Sequence, residues 1–319
     1  MDGEFSEWRA KIAEAGARIY ELAQQTPVTL IEDDPRLDSV QAFLKLEHLQ
    51  KTGSFKLRGA TNKILSLSPQ EAAKGVITSS TGNHALGVAT AARYRGVDAE
   101  VFVSSQVSPE KLRLIETCGA WIRQSGDNPL AAELAARAAA TAGGKTYISP
   151  YNDPYVVAGQ GTIAAELVEQ VGKIDAIYVA VGGGGLIGGI GAYLKSASPA
   201  TEIVGCWPEN SRVMYECLLA GKVIDFPEQP TVSESTAGGV EPGSITLELC
   251  QKVIDRSVLV SEAEILEAMR WTRPRGWTIE GAAGVAIAAF FKELSRQRGK
   301  TVVIISCGGN ASEEVLSRL

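Results

Sequence analysis

The stretch AIYVAVGGGGLIGGI, residues 176–190, decides the fold. Its first half is an unbroken apolar run of strand length, and its last half is apolar and helix-compatible. Four consecutive glycines, Gly182, Gly183, Gly184 and Gly185, join the two. A strand apolar at every position is one buried on both faces, as in a parallel sheet covered by helices. Glycines carry no Cβ, so their backbone amides approach an anion closely, and a helix N-terminus adds its positive dipole end. A phosphate is the natural guest. No Lys-Ser or Lys-Thr follows the glycines, so this is not a Walker loop. The acidic residue that a dinucleotide site needs about 20 positions on, at the end of a second strand, is also missing. Glycines that merely permit tight helix–strand packing are the alternative.

The same alternation extends outward in both directions. Strands are expected at 40–47, 75–78, 100–103 and 121–123, then at 176–181, 202–206, 258–260 and 301–305. Helices are expected from Phe55, from Gly82 to about Tyr94, from Ser108-Pro109-Glu110, and over 129–142, ending at Gly143-Gly144. Further helices are read at 159–171, from the glycine loop to Leu194, from the capping box at Ser261–Glu264, and over 281–294. Strands separated by helices imply an α/β protein of mostly parallel sheets with helices on both faces. The charged N-terminal 25 residues read as an amphipathic helix rather than a signal peptide.

The chain has 319 residues, enough for two lobes, with 45% hydrophobic and 21% charged residues, which excludes wholesale disorder. No apolar run approaches the ~20 residues of a membrane span. Against 37 acidic residues stand 31 basic ones without a basic stripe, which argues against nucleic acid as a partner. The five cysteines, Cys118, Cys206, Cys217, Cys250 and Cys307, are widely spaced and never form CxxC, so reduced thiols in a cytoplasmic protein are expected. With His48 and His84 the only histidines, no metal site is expected.

Three more segments carry chemistry. In KTGSFKLRGA, 51–60, Lys56 follows a small-residue turn and stands beside Phe55. Apolar surroundings lower an amine's pKa and let it attack a carbonyl, as a Schiff-base lysine does; an ordinary solvated lysine is the alternative. In TSSTGNHALG, 78–87, a strand end delivers Ser79, Ser80, Thr81, Gly82 and Asn83 to a helix start, where N–H groups and hydroxyls suit a carboxylate. A plain N-cap cluster is equally consistent, and His84 either contacts the substrate or packs the helix start. In TVVIISCGGN, 301–310, a buried strand delivers Ser306 and Cys307 to a glycine turn, the place where doubly wound sheets present ligand-facing groups. A reactive lysine, a phosphate cup, a carboxylate loop and a strand-end thiol together are the parts of a pyridoxal phosphate enzyme.

On SFKLRGA, STGNHA, GGGGLIGGI and SCGGN in that order, with AGQGT at 158–162 as a fifth motif, the chain resembles the fold type II pyridoxal phosphate enzymes, of which tryptophan synthase β is one form. Within these it is similar to the serine/threonine dehydratase and serine racemase branch, from Thr26-Pro27 to Asn310. The STGNH spelling also looks like the hydroxyectoine-utilisation dehydratases. The resemblance implies a two-lobed enzyme, with 1–74 and 148–319 as a large cofactor-binding domain and 75–147 as a small one. Lys56 would carry the cofactor and then act as general base, with Phe55 against the cofactor ring and Asn83 on its 3′-oxygen. Gly182, Gly183, Gly184, Gly185 and the amide of Leu186 would hold the phosphate. Ser79, Ser80, Thr81, Gly82 and His84 would receive the substrate carboxylate. Glu280 would lie near the cofactor or cap its own helix, and Cys307 would face the ring nitrogen where a serine is usual. A neutral thiol there leaves that nitrogen unprotonated, which favours rapid loss of a β leaving group.

The implied activity is dehydration and deamination of a β-hydroxy-α-amino acid, such as serine, threonine or a 3-substituted analogue, to a 2-oxo acid and ammonia, by a homodimer. An amino-acid racemase, a nicotinamide-dependent oxidoreductase and a non-catalytic amino-acid sensor are the alternatives. Three departures from the branch stand out. Thr81, the second catalytic residue the resemblance implies, replaces the serine that works opposite the lysine in the racemase; its hydroxyl can still move a proton, but its methyl crowds that face. Trp207, before Pro208, and Val213 occupy positions where relatives carry acidic cation ligands, with Glu209 as a displaced substitute. The chain runs only to Leu319, which leads us to expect no C-terminal regulatory domain. The unusual segment RWTRPRGW, 270–277, either lines the substrate pocket or packs as an exposed loop through its tryptophans.

Overall fold

The computed structural model describes residues 2–319. Among the described residues, ten strands form two sheets: β1 (Val28–Leu30), β2 (Gln41–Lys45), β3 (Val76–Ser79), β4 (Ala99–Val103), β5 (Trp121–Gln124), β6 (Thr146–Tyr147), β7 (Ala176–Ala180), β8 (Glu202–Pro208), β9 (Arg256–Val260) and β10 (Thr301–Ile305). The larger sheet runs β1-β2-β10-β7-β8-β9 and the smaller β5-β4-β3-β6. Every pairing is parallel except β1 with β2. All five residues of β7 are buried, which is why that strand reads as continuously apolar.

The order of strands locates the chemistry. In the larger sheet the chain proceeds β7-β8-β9 to one side of β7, then returns to place β10 on its other side. In the smaller sheet β4 and β5 lie on one side of β3 and β6 on the other. Each reversal opens a crevice at the carboxyl ends of the strands, where open α/β sheets bind ligands. The segments leaving β7 and β10 are the tetraglycine loop and Cys307–Asn310. Those leaving β3 and β6 are Ser80–Gly82 and Ile148–Tyr151.

Helix starts follow their caps. Ser261 forms the expected capping box with Glu264, each side chain bonded to the other's backbone. The helix expected at 159–171 begins earlier, at Pro154, because Asp153 accepts hydrogen bonds from the amides of Tyr155 (2.8 Å) and Val156 (3.1 Å). The N-terminal helix is shorter than expected and ends at Ile19. AGQGT falls inside Pro154–Val171 and serves close packing: a Cβ on Gly159 would lie 2.6 Å from the Cα of Gly59, and one on Gly161 would lie 2.9 Å from the carbonyl of Gly189. Among the described residues, no helix is long and apolar enough to cross a membrane.

A buried ion network underlies the lysine-bearing helix Lys56–Ser66. The Arg58 guanidinium donates to both carboxylate oxygens of Glu47 at 2.8 Å and to Thr162 Oγ1 at 3.0 Å, and it pairs with Glu166. Glu166 also pairs with Lys45, another fully buried cation. Two cations face two anions, so no net charge is buried, and the helix is clamped two residues beyond Lys56.

Candidate active site

One cavity of about 50 Å³ gathers residues from all four segments. It is lined by Phe55 and Lys56, by Asn83, by the whole tetraglycine loop with Leu186, and by Glu280 and Cys307. Lys56 opens its helix and points Nζ to the carbonyl of Pro150 at 2.8 Å, with the Phe55 ring centroid 5.2 Å away. Burial of this end holds the amine down to about 8, against the opposing pull of Glu280 and Cys307. The Glu280 carboxyl is pushed up to about 7 by burial, although Asn83 and Ser235 donate to it. Burial, and then Glu280, pushes the Cys307 thiol well above its ordinary range. Three titratable groups thus approach neutrality together in a water-poor site.

The glycine loop is closely covered. Gly184 sits at φ +84°, a conformation that L side chains rarely adopt, and a Cβ there would lie 2.7 Å from Cys250 Sγ. A Cβ on Gly183 would meet the Tyr151 ring at 2.3 Å. The amides therefore stay bare at the start of helix Gly185–Ala197, a cradle suited to a dianionic phosphate. With an amine inclined to be neutral on one side and a neutral thiol on another, these residues fit pyridoxal phosphate.

Asn83 begins helix Asn83–Arg95 and donates from Nδ2 to Glu280 Oε2 (2.8 Å) and Oε1 (3.0 Å). The carboxylate loop borders this cavity rather than lining it. Ser79 ends β3 and commits its hydroxyl hydrogen to the Phe102 carbonyl at 3.2 Å; Ser80 Oγ accepts from the Gly82 amide at 3.2 Å. Thr81 and Gly82 are half-buried at the helix start. His84 turns inward, its Nε2 on the Ile148 carbonyl at 3.0 Å, and burial followed by the charge of Lys56 takes it down to about 3. That placement is the packing alternative given above.

Sequence reasoning missed Tyr151, Ser235 and Thr236, which also line the cavity. Tyr151 lies over the glycine loop, and its hydroxyl accepts from the Glu241 amide at 2.9 Å. It follows the short strand β6, and its position at a strand end after a proline was the one available signal. RWTRPRGW lies elsewhere. Arg275 covers the Trp271 ring at 3.9 Å and bonds Asp33, while Trp271 Nε1 donates to Asp34 at 2.8 Å. Trp271 instead borders a larger cavity of about 210 Å³, where Arg36 is paired with Asp34 and Lys292 with Glu264. Trp207 and Val213 are buried, and Glu209 lies 3.9 Å from Lys292.

Comparison with known proteins identifies the family and the fold. The family described as pyridoxal-phosphate dependent enzyme matches residues 19–308. An L-threonine ammonia-lyase from Thermotoga maritima is 37% identical over 280 residues, covering 88% of this chain and 69% of its own. The processed form of threonine deaminase isoform 2 from Solanum lycopersicum superposes with a TM-score of 0.92 at 32% identity, over 98% of this chain and 92% of its own. Maize serine racemase superposes at 0.91 and 30% identity, over 97% and 95%.

Proposed function

Since the chain belongs to the pyridoxal-phosphate-dependent enzymes, we infer that it is an ammonia-lyase acting on a β-hydroxy-α-amino acid such as serine, threonine or a 3-substituted analogue. The water lost at Cβ is regained when the nitrogen is hydrolysed off, so the net products are a 2-oxo acid and ammonia. The observation that carries this reading is the meeting of Lys56, the tetraglycine loop and Cys307 in one cavity. When bound, pyridoxal phosphate supplies an electron sink for charge developing at the substrate Cα.

The roles proposed for the chain's own residues follow from their settings. Lys56 holds the cofactor and, because burial disfavours its charged form, serves as the base that takes the α-proton. Gly182, Gly183, Gly184, Gly185 and the Leu186 amide hold the phosphate, with Tyr151 as a lid over them. Phe55 would lie against the cofactor ring and Asn83 would donate to its 3′-oxygen, with Glu280 positioning Asn83. Cys307 stays a protonated thiol and so would give the ring nitrogen of a bound cofactor no full proton. The amides and hydroxyls of Ser79, Ser80, Thr81 and Gly82 at the helix start receive the carboxylate.

We assign residues 75–147 to a small domain and 1–74 with 148–319 to a large one, a division supported by the two separate sheets. A cytoplasmic homodimer completes the proposal. Racemisation is the second reading, favoured by the superposition on maize serine racemase; the Thr81 methyl on the face opposite Lys56 weighs against it. The test is a panel of β-hydroxy amino acids, each assayed for ammonia, 2-oxo acid and the opposite enantiomer. Ammonia and 2-oxo acid in equal amounts support the lyase. Dominant inversion, or no turnover with any member, overturns it.

A further inference from the structure

The last residue of the SCGGN segment has no part in the chemistry above, yet both of its side-chain N–H donors are engaged. The Asn310 carboxamide donates from Nδ2 to the carbonyl of Thr52 at 2.8 Å and to Asn83 Oδ1 at 2.7 Å. A primary amide has two N–H donors, and both are used. The Thr52 contact fixes Asn310 from behind. Its neighbour Gly53 sits at φ +73°, and a Cβ there would lie 2.5 Å from Asn310 Oδ1, so the turn is moulded against this amide. The Gly309 amide donates to the Gly53 carbonyl at 2.8 Å, tying the two segments once more.

The consequence falls on Asn83. Its oxygen accepts from Asn310, so its NH2 must face the other way, towards Glu280 at 2.8 Å and Ser235 Oγ at 3.3 Å in the cavity. Asn83 follows a strand of the smaller sheet, whereas Glu280 and Asn310 flank elements of the larger one. One carboxamide is thus held between the two sheets by a donor on one side and an acceptor on the other.

We propose that Asn310 is a positioning residue that sets the orientation of the Asn83 amide, so that its NH2 rather than its oxygen is presented to the 3′-oxygen of the bound cofactor. The proposal rests on the cofactor reading given above and adds a residue to it. An alanine at 310 removes the donor that holds the Asn83 oxygen and leaves the amide held only through its NH2, by Glu280 and Ser235. An aspartate, nearly the same shape, sets an acceptor against both Thr52 O and Asn83 Oδ1 and drives the amide to turn.

The test is the affinity of the apoprotein for pyridoxal phosphate, measured by equilibrium dialysis without substrate. Asn310→Ala should weaken binding about tenfold, the worth of one hydrogen bond misplaced, and Asn310→Asp about a hundredfold. The deciding variant is the double one: if Asn310 acts through Asn83, then Asn83→Ala with Asn310→Ala binds within about twofold of Asn83→Ala alone. Additive losses, or either single variant binding as the parent does, overturn the proposal. So does loss of near-ultraviolet dichroism in both single variants, since a residue needed for folding is not acting through Asn83. The parent protein and Lys56→Ala are run alongside. If the parent retains no cofactor, the underlying reading fails; if the parent retains it and Lys56→Ala loses the visible band, an additive cycle removes only the role of Asn310.

Discussion

The pH dependence of cofactor attachment probes the environment of Lys56 quantitatively. Only the neutral amine attacks an aldehyde, and burial takes this amine from 10.5 down to about 8. Near about pH 7 an amine titrating at 8 is neutral in roughly one molecule in ten, and one at 10.5 in roughly one in three thousand. Burial therefore raises the attacking population by about 300-fold at neutrality. Mixing apoprotein with pyridoxal phosphate across a pH series, and following the visible absorbance with α-acetyl-lysine as the reference amine, yields both midpoints. The protein's rate should rise with pH and level off above about 8 while the reference keeps rising. Glu280→Gln removes a carboxylate that pulls the amine up, so its midpoint should fall below that of the parent. A parent midpoint matching the free lysine, or an upward shift in Glu280→Gln, would refute the argument that desolvation activates this residue.

Other outcomes follow from the same geometry. Gly183→Ala drives a methyl into the Tyr151 ring and Gly184→Ala adds backbone strain of about 1–2 kcal/mol; dialysis should show cofactor lost from both, with the folded apoprotein retained. Arg58→Ala leaves Glu47 and Glu166 buried with one cation fewer and should cost about 3–5 kcal/mol in urea unfolding, whereas a loss under 1 kcal/mol would show that the network is dispensable. Glu280 holds its proton in the folded state up to about 7 but in the unfolded chain only to 4.5, so between these values the apoprotein loses stability as pH rises. Glu280→Gln should flatten that slope by an amount on the order of a few kcal/mol. Thr81→Ser removes the crowding methyl and should raise the ratio of inverted amino acid to 2-oxo acid; an unchanged ratio would clear Thr81 of that role.

The two sheets were legible because buried parallel strands and capped helices leave strong local patterns: β7, β10 and the Ser261 capping box stand where their residues indicated. The short strands β1 and β6 were not, since two or three residues carry no periodicity and take their conformation from a neighbour. The helices Val213–Ala220 and Ile245–Val253 also escaped, the second because its start after Pro242-Gly243-Ser244 resembles a loop. Within the site, the glycines and Cys307 were readable because each sits where a strand ends, and Lys56 because it opens a helix after a small-residue turn. Tyr151, Ser235 and Thr236 are brought to the cavity by tertiary packing; only Tyr151, after Pro150, carries a local signal, and no pattern marks the other two. Lys45, at the end of β2, and Glu47, in the turn just beyond it, find Glu166 and Arg58 only once the helices pack.

Borohydride reduction of the protein loaded with pyridoxal phosphate, followed by tryptic digestion and mass spectrometry, addresses the linkage most directly. The account predicts one peptide carrying a phosphopyridoxyl group, with the modification on Lys56. A label on another lysine with Lys56 unmodified, or no label anywhere, would contradict it.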